Sequence, residues 1–370
     1  MRPTSQTPAP PRNIGKPEVD DSERRGFNHT TEEVESVAES TGHDVDVRVS
    51  KLLVHPIKSC RGTSVQSSRY TSEGLEFDRQ WCVIEADTHK IITAREFPTM
   101  VLITPTIEEN GGSPYGGTLK ISFPEGSGCR SLSVPLRPNA GLLKNWGILH
   151  DADLMGRLAI DGYICQEMPD AEKDTSNTVS ETFSAYFRRP VHLVQKGSSP
   201  RPCLPSTNYP DFNATALYQD MYPLLILSEE SMAEVDREVR SRVGTQQIDE
   251  CWKTDKVAIE RFRPNIVLKG GGPWVEDQWT EVSIGTKIEV AKNAPSILIV
   301  GKCVRCTLPN VSPETGEKDK SVPLKVLMKF RLGLDPNRKY SACVGTWGAP
   351  LQEGVVKVGD RVFVRKKLTE

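Results

Sequence analysis

The chain has 370 residues, 37% of them hydrophobic and 26% charged, with a formal net charge of −2. That length supports one large or two smaller domains, and the near-neutral balance excludes a whole-chain field directed at nucleic acid or an acidic membrane. Nine irregularly spaced cysteines read as free thiols of a reducing compartment, and no apolar run approaches the roughly 20 residues that span a bilayer.

In chain order, residues 1–43 read as a disordered tail, proline-broken and poor in large apolar side chains. It has neither the apolar core of a secretory signal nor the character of a transit peptide, since Glu18, Asp20 and Asp21 follow quickly. Order is expected from Val45, Val47 and Val49, which alternate with polar residues as in a strand continued by Leu52–Val54. Gln80–Glu85 and Lys90–Thr93 flank a polar turn and read as a hairpin, with further strands at Val101–Thr104 and Leu119–Phe123. Residues 109–117 and 124–141 are rich in Gly, Pro and Ser and read as loops, and Asp170–Thr178 as a polar linker. Ser180 is placed to cap a short helix through Phe187, followed by a strand at Val191–Val194 and a Pro-rich loop over residues 197–216.

Leu224–Leu227 reads as a buried strand leading into the strongest helix, which begins at Ser228. Its apolar stripe is Met232, Val235, Val239 and Val243, and Ser231 and Glu234 have capping-box spacing. Ile266–Leu268, Val282–Ile284, Ile288–Val290 and Ile297–Val300 are strand-like, Lys325–Phe330 is a short helix, and two strands end the chain around Gly359-Asp360. Many short strands and few helices give a mainly β (α+β) class with two β-barrel-like domains. The boundaries expected are a tail over 1–43, a first barrel over 44–150, a linker with a short helix over 151–190 and a second barrel domain over 191–368.

Two features bear on chemistry. Cys303-x-x-Cys306 is open to several readings: structural zinc lacks a second ligand pair, a thioredoxin-type site lacks its βαβ setting, and two small buried residues near a strand end fit the spacing as well. Arg305 beside Cys306 favours a thiolate, the form that ligates soft metals. The second feature is a set of basic residues in turn-like contexts: Lys58-Ser59 in HPIKSCRG, Arg79 in FDRQW, Arg95 in ITARE and Arg263 in RFRPN. If they converge they form an anion cradle suited to phosphate; separately they are ordinary surface charges. Gly270-Gly271-Gly272 lacks the Lys-Ser/Thr of a phosphate loop and reads as a turn.

The series VHPIKSCRG, FDRQW, ITAREFP, LLILSEES, RFRPNIV, KCVRCTLPNVSPETGEKD and VKVGDRVFV, in that order over residues 47–365, resembles the molybdenum cofactor sulfurase C-terminal (MOSC) family with its N-terminal β-barrel, nearest its amidoxime-reducing branch. The resemblance implies molybdenum coordination by Cys306. It implies that Lys58, Ser59, Arg79, Arg263 and Arg305 hold the pterin phosphate and dithiolene frame and that Asn265 contacts the cofactor. It further implies reduction of N-hydroxylated substrates, with electrons from a separate b-type cytochrome and flavin reductase or a ferredoxin-like protein. The rival it leaves is a cofactor or sulfur carrier without redox turnover; pyridoxal phosphate is not expected, as the chain has no desulfurase domain. Departures are a polar tail in place of the membrane anchor of animal relatives, Met221-Tyr222 where small hydroxyl residues are usual, so that their contact is either lost or remade by the Tyr222 hydroxyl, and Val344-Gly345-Thr346 near the C-terminus. The expected location is intracellular and soluble, cytoplasmic by default, with mitochondrial association by analogy.

Overall fold

The structure is a computed structural model that describes residues 46–368 except 157–158, 169–177, 207, 246 and 287–293. The expected tail, most of the linker before Thr178 and the strand Ile288–Val290 lie outside the described residues.

The centre is a closed barrel. Its strands are β1 (Arg48–Val54), β3 (Leu224–Ser228), β4 (Ile266–Lys269), β5 (Trp279–Gly285), β6 (Ser296–Val304), β7 (Cys343–Pro350) and β8 (Arg361–Lys367), with β2 (Thr63–Val65) added outside β1. They run in the order β4-β3-β7-β6-β5-β8-β1-β2, and a further β4–β1 pairing closes the ring. Closure removes the open edges that a flat sheet of this composition would expose. The start of the described chain is thus built into its far end: Leu52 is opposite Ile266 and Arg48 opposite Arg361. Among the described barrel strands only β3 and β4 pair in parallel, Ile226 opposite Ile266, and the helix between them, α2 (Glu229–Arg240), makes the crossover that parallel pairing requires. All five residues of β3 are buried, the pattern of a strand covered on both faces.

The remaining strands form smaller sheets. Trp81–Glu85, Val191–Lys196, Ala159–Ile164 and Gly147–Asp153 make a four-stranded sheet, and Thr104–Glu109, Gly117–Ser122 and Leu132–Pro135 a three-stranded meander. One hydrophobic cluster runs from the barrel (Leu52, Ile226, Ile266, Ile297) to these sheets and to α1 (Val179–Phe187) through Trp81, Val83, Leu119 and Phe183. A second lies under α2 and α3 (Leu324–Phe330), where Met232, Val235 and Val239 meet Val326 and Leu327. The mainly β class with few helices is therefore as read from the sequence.

Several local expectations shift. Thr178, not Ser180, caps α1, in a capping box with Glu181, and Ser180 bonds His192 instead. Ser228 caps α2 by accepting from Ser231 N, so Ser231 lies inside the first turn and Val243 beyond the last. Val101 and Leu102 belong to a short 3-10 turn, Pro98–Leu102, because the proline starts a turn that buries Met100 and Val101. Leu132–Pro135 is a strand within the segment expected to be loop, and Lys90–Thr93 contributes isolated bridges such as Ile84–Ile91 rather than a full hairpin arm. Among the described residues, no helix is long and apolar enough to cross a membrane.

Candidate functional site

A cavity of about 360 Å³ opens where β3 and β4 begin and β6 ends. Its wall comes from segments far apart in sequence: Lys58-Ser59 after β1, Arg79 in the turn before Trp81–Glu85, Arg95, residues 219–222 before β3, residues 261–265 before β4, residues 303–309 after β6, and Arg338 and Ser341 before β7. The backbone bends sharply to present them. Ser59 (φ 67), Arg79 (φ 50), Arg263 (φ 58) and Met155 (φ 61) all line this cavity in the left-handed region, which side chains other than glycine enter at a cost and which concentrates at functional sites.

The lining carries seven cationic side chains and one carboxylate. The carboxylate, Asp220, gathers the cations nearest the sulfur. Lys58 Nζ donates to it and, at 2.6 Å, to the Tyr218 carbonyl; Arg95 Nη1 donates to Asp220 Oδ2 at 3.2 Å and lies 3.4 Å from Cys306 Sγ. Burial alone would raise the Asp220 carboxyl, but the charges of Lys58 and Arg95 overcome it and hold it well below the usual carboxylate range. Burial lowers the Lys58 ammonium from its ordinary value, and Asp220 offsets part of that.

Deeper in, Arg79 Nη1 bonds both oxygens of Asp78, at 2.7 and 2.6 Å, while its Nη2 donates to the Arg263 carbonyl at 3.0 Å. Asp78 is fully buried; burial works against its ionisation, yet Arg79 and His55 hold its carboxyl at about 2. Arg263 donates from Nη1 to the Cys60 carbonyl at 2.6 Å, whereas its Nη2 is buried with no partner. Burial and then the Arg79 charge pull this guanidinium down to about 9. A half-buried cation with an unused donor beside a second cation is an arrangement suited to an anionic group.

The structure brings Lys58, Ser59, Arg79, Tyr222, Arg263, Asn265, Arg305 and Cys306 to this one cavity. Their side chains differ in what they have free. Cys306 is exposed, and its sulfur receives both Arg95 and the Leu308 backbone N–H, each at 3.4 Å. The guanidinium at the thiol is thus that of Arg95, not Arg305, contrary to the argument from adjacency. Arg305 donates to the Val344 carbonyl at 2.9 and 2.6 Å and to the Phe262 carbonyl at 3.1 Å. Arg305 is thus committed to backbone carbonyls and not to the Cys306 sulfur.

Asn265 is buried and spends its carboxamide on backbone, accepting from Leu225 N at 3.1 Å and donating to the Leu53 carbonyl at 3.3 Å. The Tyr222 hydroxyl donates to the Leu204 carbonyl at 2.7 Å, and its ring packs on Trp347. Cys303 is buried, and burial pushes its thiol up to about 11. Asp220 escaped sequence reasoning: a single carboxylate in the loop before β3 carries no spacing signal. Among the described residues, no group of three or more His, Cys, Asp or Glu side chains forms a metal cage.

Comparison with known proteins adds to this geometry. The MOSC N-terminal beta barrel domain matches residues 46–186 and the MOSC domain residues 213–363. The chain is 32% identical over 329 residues to mitochondrial amidoxime reducing component 2 of Rattus norvegicus, covering 85% of this chain and 82% of that one. It is 29% identical over 323 residues to mitochondrial amidoxime-reducing component 1 of Homo sapiens, with 85% and 82% covered. It is also 27% identical over 310 residues to the molybdenum cofactor sulfurase of Solanum lycopersicum, covering 80% of this chain and 33% of that one.

Proposed function

The chain belongs to the MOSC-domain family, and from that footing we propose that it holds a molybdenum–pterin cofactor through the Cys306 thiolate and reduces N-hydroxylated compounds with it. The observation that carries the reading is the exposed Cys306 sulfur at the wall of a cavity with seven cationic side chains, two of which, Arg261 and Arg263, each have an unpartnered guanidinium nitrogen. The residues fit the group. A soft thiolate suits molybdenum, and the Arg263 Nη2 left without a partner, together with Lys58, Ser59 and Arg79, suits a phosphate. Asn265 and Tyr222 act through the wall, fixing the backbone of β1, β3 and the 204 loop. Arg305 does the same for β7 and the turn at Phe262.

When bound, the cofactor supplies a two-electron couple able to take the oxygen of an N–OH group. The overall change consumes two electrons and two protons, converting an amidoxime to its amidine and water. The chain's part is electrostatic. Arg95, held against the sulfur by Asp220, and Lys58 behind it stabilise negative charge developing on an oxygen near Cys306 without reorganising at the moment of reaction. Electrons come from a separate protein, a b-type cytochrome with its flavin reductase or a ferredoxin-like carrier. Association with mitochondria follows the printed names of the relatives.

The tomato relative's name, molybdenum cofactor sulfurase, favours a second reading: a carrier that passes on cofactor or sulfur from the exposed Cys306. Reconstitution with molybdenum cofactor, followed by metal analysis and benzamidoxime reduction with reduced methyl viologen, separates the two. Stoichiometric metal with turnover is the expected result. Metal that passes to an apo-acceptor without turnover would establish the carrier, and failure to retain metal would overturn both.

A further inference from the structure

Nine large hydrophobic side chains are exposed among the described residues, and five of them lie in the lining of the Cys306 cavity or in segments joined to it. Met155 lines the cavity itself, and Leu204 belongs to the residue whose carbonyl holds the Tyr222 hydroxyl. The other three, Leu332, Leu334 and Tyr340, sit on the loop between α3 and β7, whose Arg338 and Ser341 line the cavity. Tyr340 is 90% exposed.

This loop is a fixed structure. A Leu332–Ala342 bridge closes its neck, and Arg331 Nε ties the neck to the Cys343 carbonyl at 2.9 Å. Its one carboxylate, Asp335, caps Asn337 N at 2.9 Å, and Arg338 and Lys339 outnumber it with two positive charges. A chain of net charge −2 therefore places apolar and basic side chains together on a loop that also lines the Cys306 cavity. An apolar, aromatic centre with basic neighbours is the composition of a protein-docking surface that selects an acidic partner.

Resting on the redox reading above, we propose that this rim, centred on Leu334 and Tyr340 with Arg338 and Lys339, is the docking surface for an acidic electron-carrier protein. Docking there sets the carrier over the cavity mouth, the shortest approach to Cys306. Apolar anchors supply affinity, and the basic side chains steer an acidic face into register. A lipid surface would use similar side chains. The rim surrounds an opening that small substrates must enter, and it interleaves its apolar residues with a polar Asp335-Pro336-Asn337 turn, both of which fit a transient protein contact better than insertion into lipid.

The test feeds electrons to the cofactor-loaded, full-length protein in two ways: with reduced methyl viologen, and with a soluble acidic b-type cytochrome kept reduced by its flavin reductase. Leu334→Asp and Tyr340→Asp, both at exposed positions away from the cavity chemistry, should each lower cytochrome-fed turnover at least about tenfold. Viologen-fed turnover should not change. Cytochrome-fed turnover of the wild type should fall as salt rises from roughly 20 to 300 mM, and cytochrome binding to the metal-free protein should weaken in the same two variants. Unchanged cytochrome-fed rates in both variants would overturn the inference, as would loss of binding to phosphatidylcholine–phosphatidylserine vesicles with cytochrome-fed rates intact. A wild type silent with viologen as well would count against the redox reading itself and remove the inference with it; a wild type active with viologen alone would overturn the docking surface only.

Discussion

Asp220→Asn tests whether the cavity is a cation cluster waiting for an anion. In the native protein one carboxylate holds Lys58, 5% exposed, and Arg95 together. Removing one partner of a buried ion pair costs about 3–5 kcal/mol. The Asp220 side chain is 36% exposed to the cavity, so solvent screening reduces the loss to about 1–2 kcal/mol. At roughly 2–4 °C per kcal/mol for chains of this order of size, the melting temperature should fall by about 2–8 °C in phosphate-free buffer at pH 7. The variant has one more uncompensated positive charge, so added inorganic phosphate should stabilise it more than the wild type. At ten times the dissociation constant the gain is about 1.4 kcal/mol, which restores most of the loss. Differential scanning calorimetry with and without phosphate, using chloride at matched ionic strength as control, reads both effects. Equal melting temperatures and equal phosphate responses in the two proteins would refute the reasoning.

Other expectations follow from the same geometry. Arg263→Gln removes a half-buried cation with one buried, unpartnered nitrogen; it should raise stability by about 1 kcal/mol in thermal melts while phosphate affinity, measured by calorimetric titration, falls about tenfold. Gly62→Ala would set a Cβ 2.6 Å from the His55 ring and should cost about 1–3 kcal/mol in urea unfolding. Burial, then the charges of Arg79 and Arg263, depress His55 well below its usual value, so the folded protein keeps it neutral while the unfolded chain protonates near pH 6.5. The stability this gives is present above that pH and lost below it, at about 1.4 kcal/mol per pH unit for one proton. Asp78, held at about 2, contributes above about pH 4 and loses its contribution as pH falls toward 2. Urea midpoints from pH 7.5 to roughly 4.5 should therefore fall less steeply in His55→Gln than in the wild type; parallel curves would contradict a neutral buried His55.

What the sequence disclosed depended on how local the cause was. The all-apolar run Leu224–Leu227 and the stripe through Met232, Val235 and Val239 reported β3 and α2 directly, because burial on both faces or on one helical face is written at fixed period. The α1 cap was displaced from Ser180 to Thr178 because two hydroxyl residues compete within two positions, and only Thr178 has Glu181 at the spacing that returns the bond. The pairing of β1 with β4 and β8 had no local trace, since contacts across more than 200 residues leave no periodic mark. At the cavity, turn-bound basic residues were conspicuous because charges beside strands demand a reason. Asp220 was not, as one carboxylate in a loop is ordinary. The Arg305 argument failed on direction: sequence distance to Cys306 was read as spatial distance, while the guanidinium that reaches the sulfur comes from Arg95, 211 positions away.

X-ray absorption at the molybdenum edge, on cofactor-loaded wild type and Cys306→Ser, bears most directly on the role given to Cys306. The account predicts one sulfur neighbour fewer on the metal in the variant, with the fold unchanged by circular dichroism. The same number of sulfur neighbours in both proteins would show that Cys306 is not the ligand.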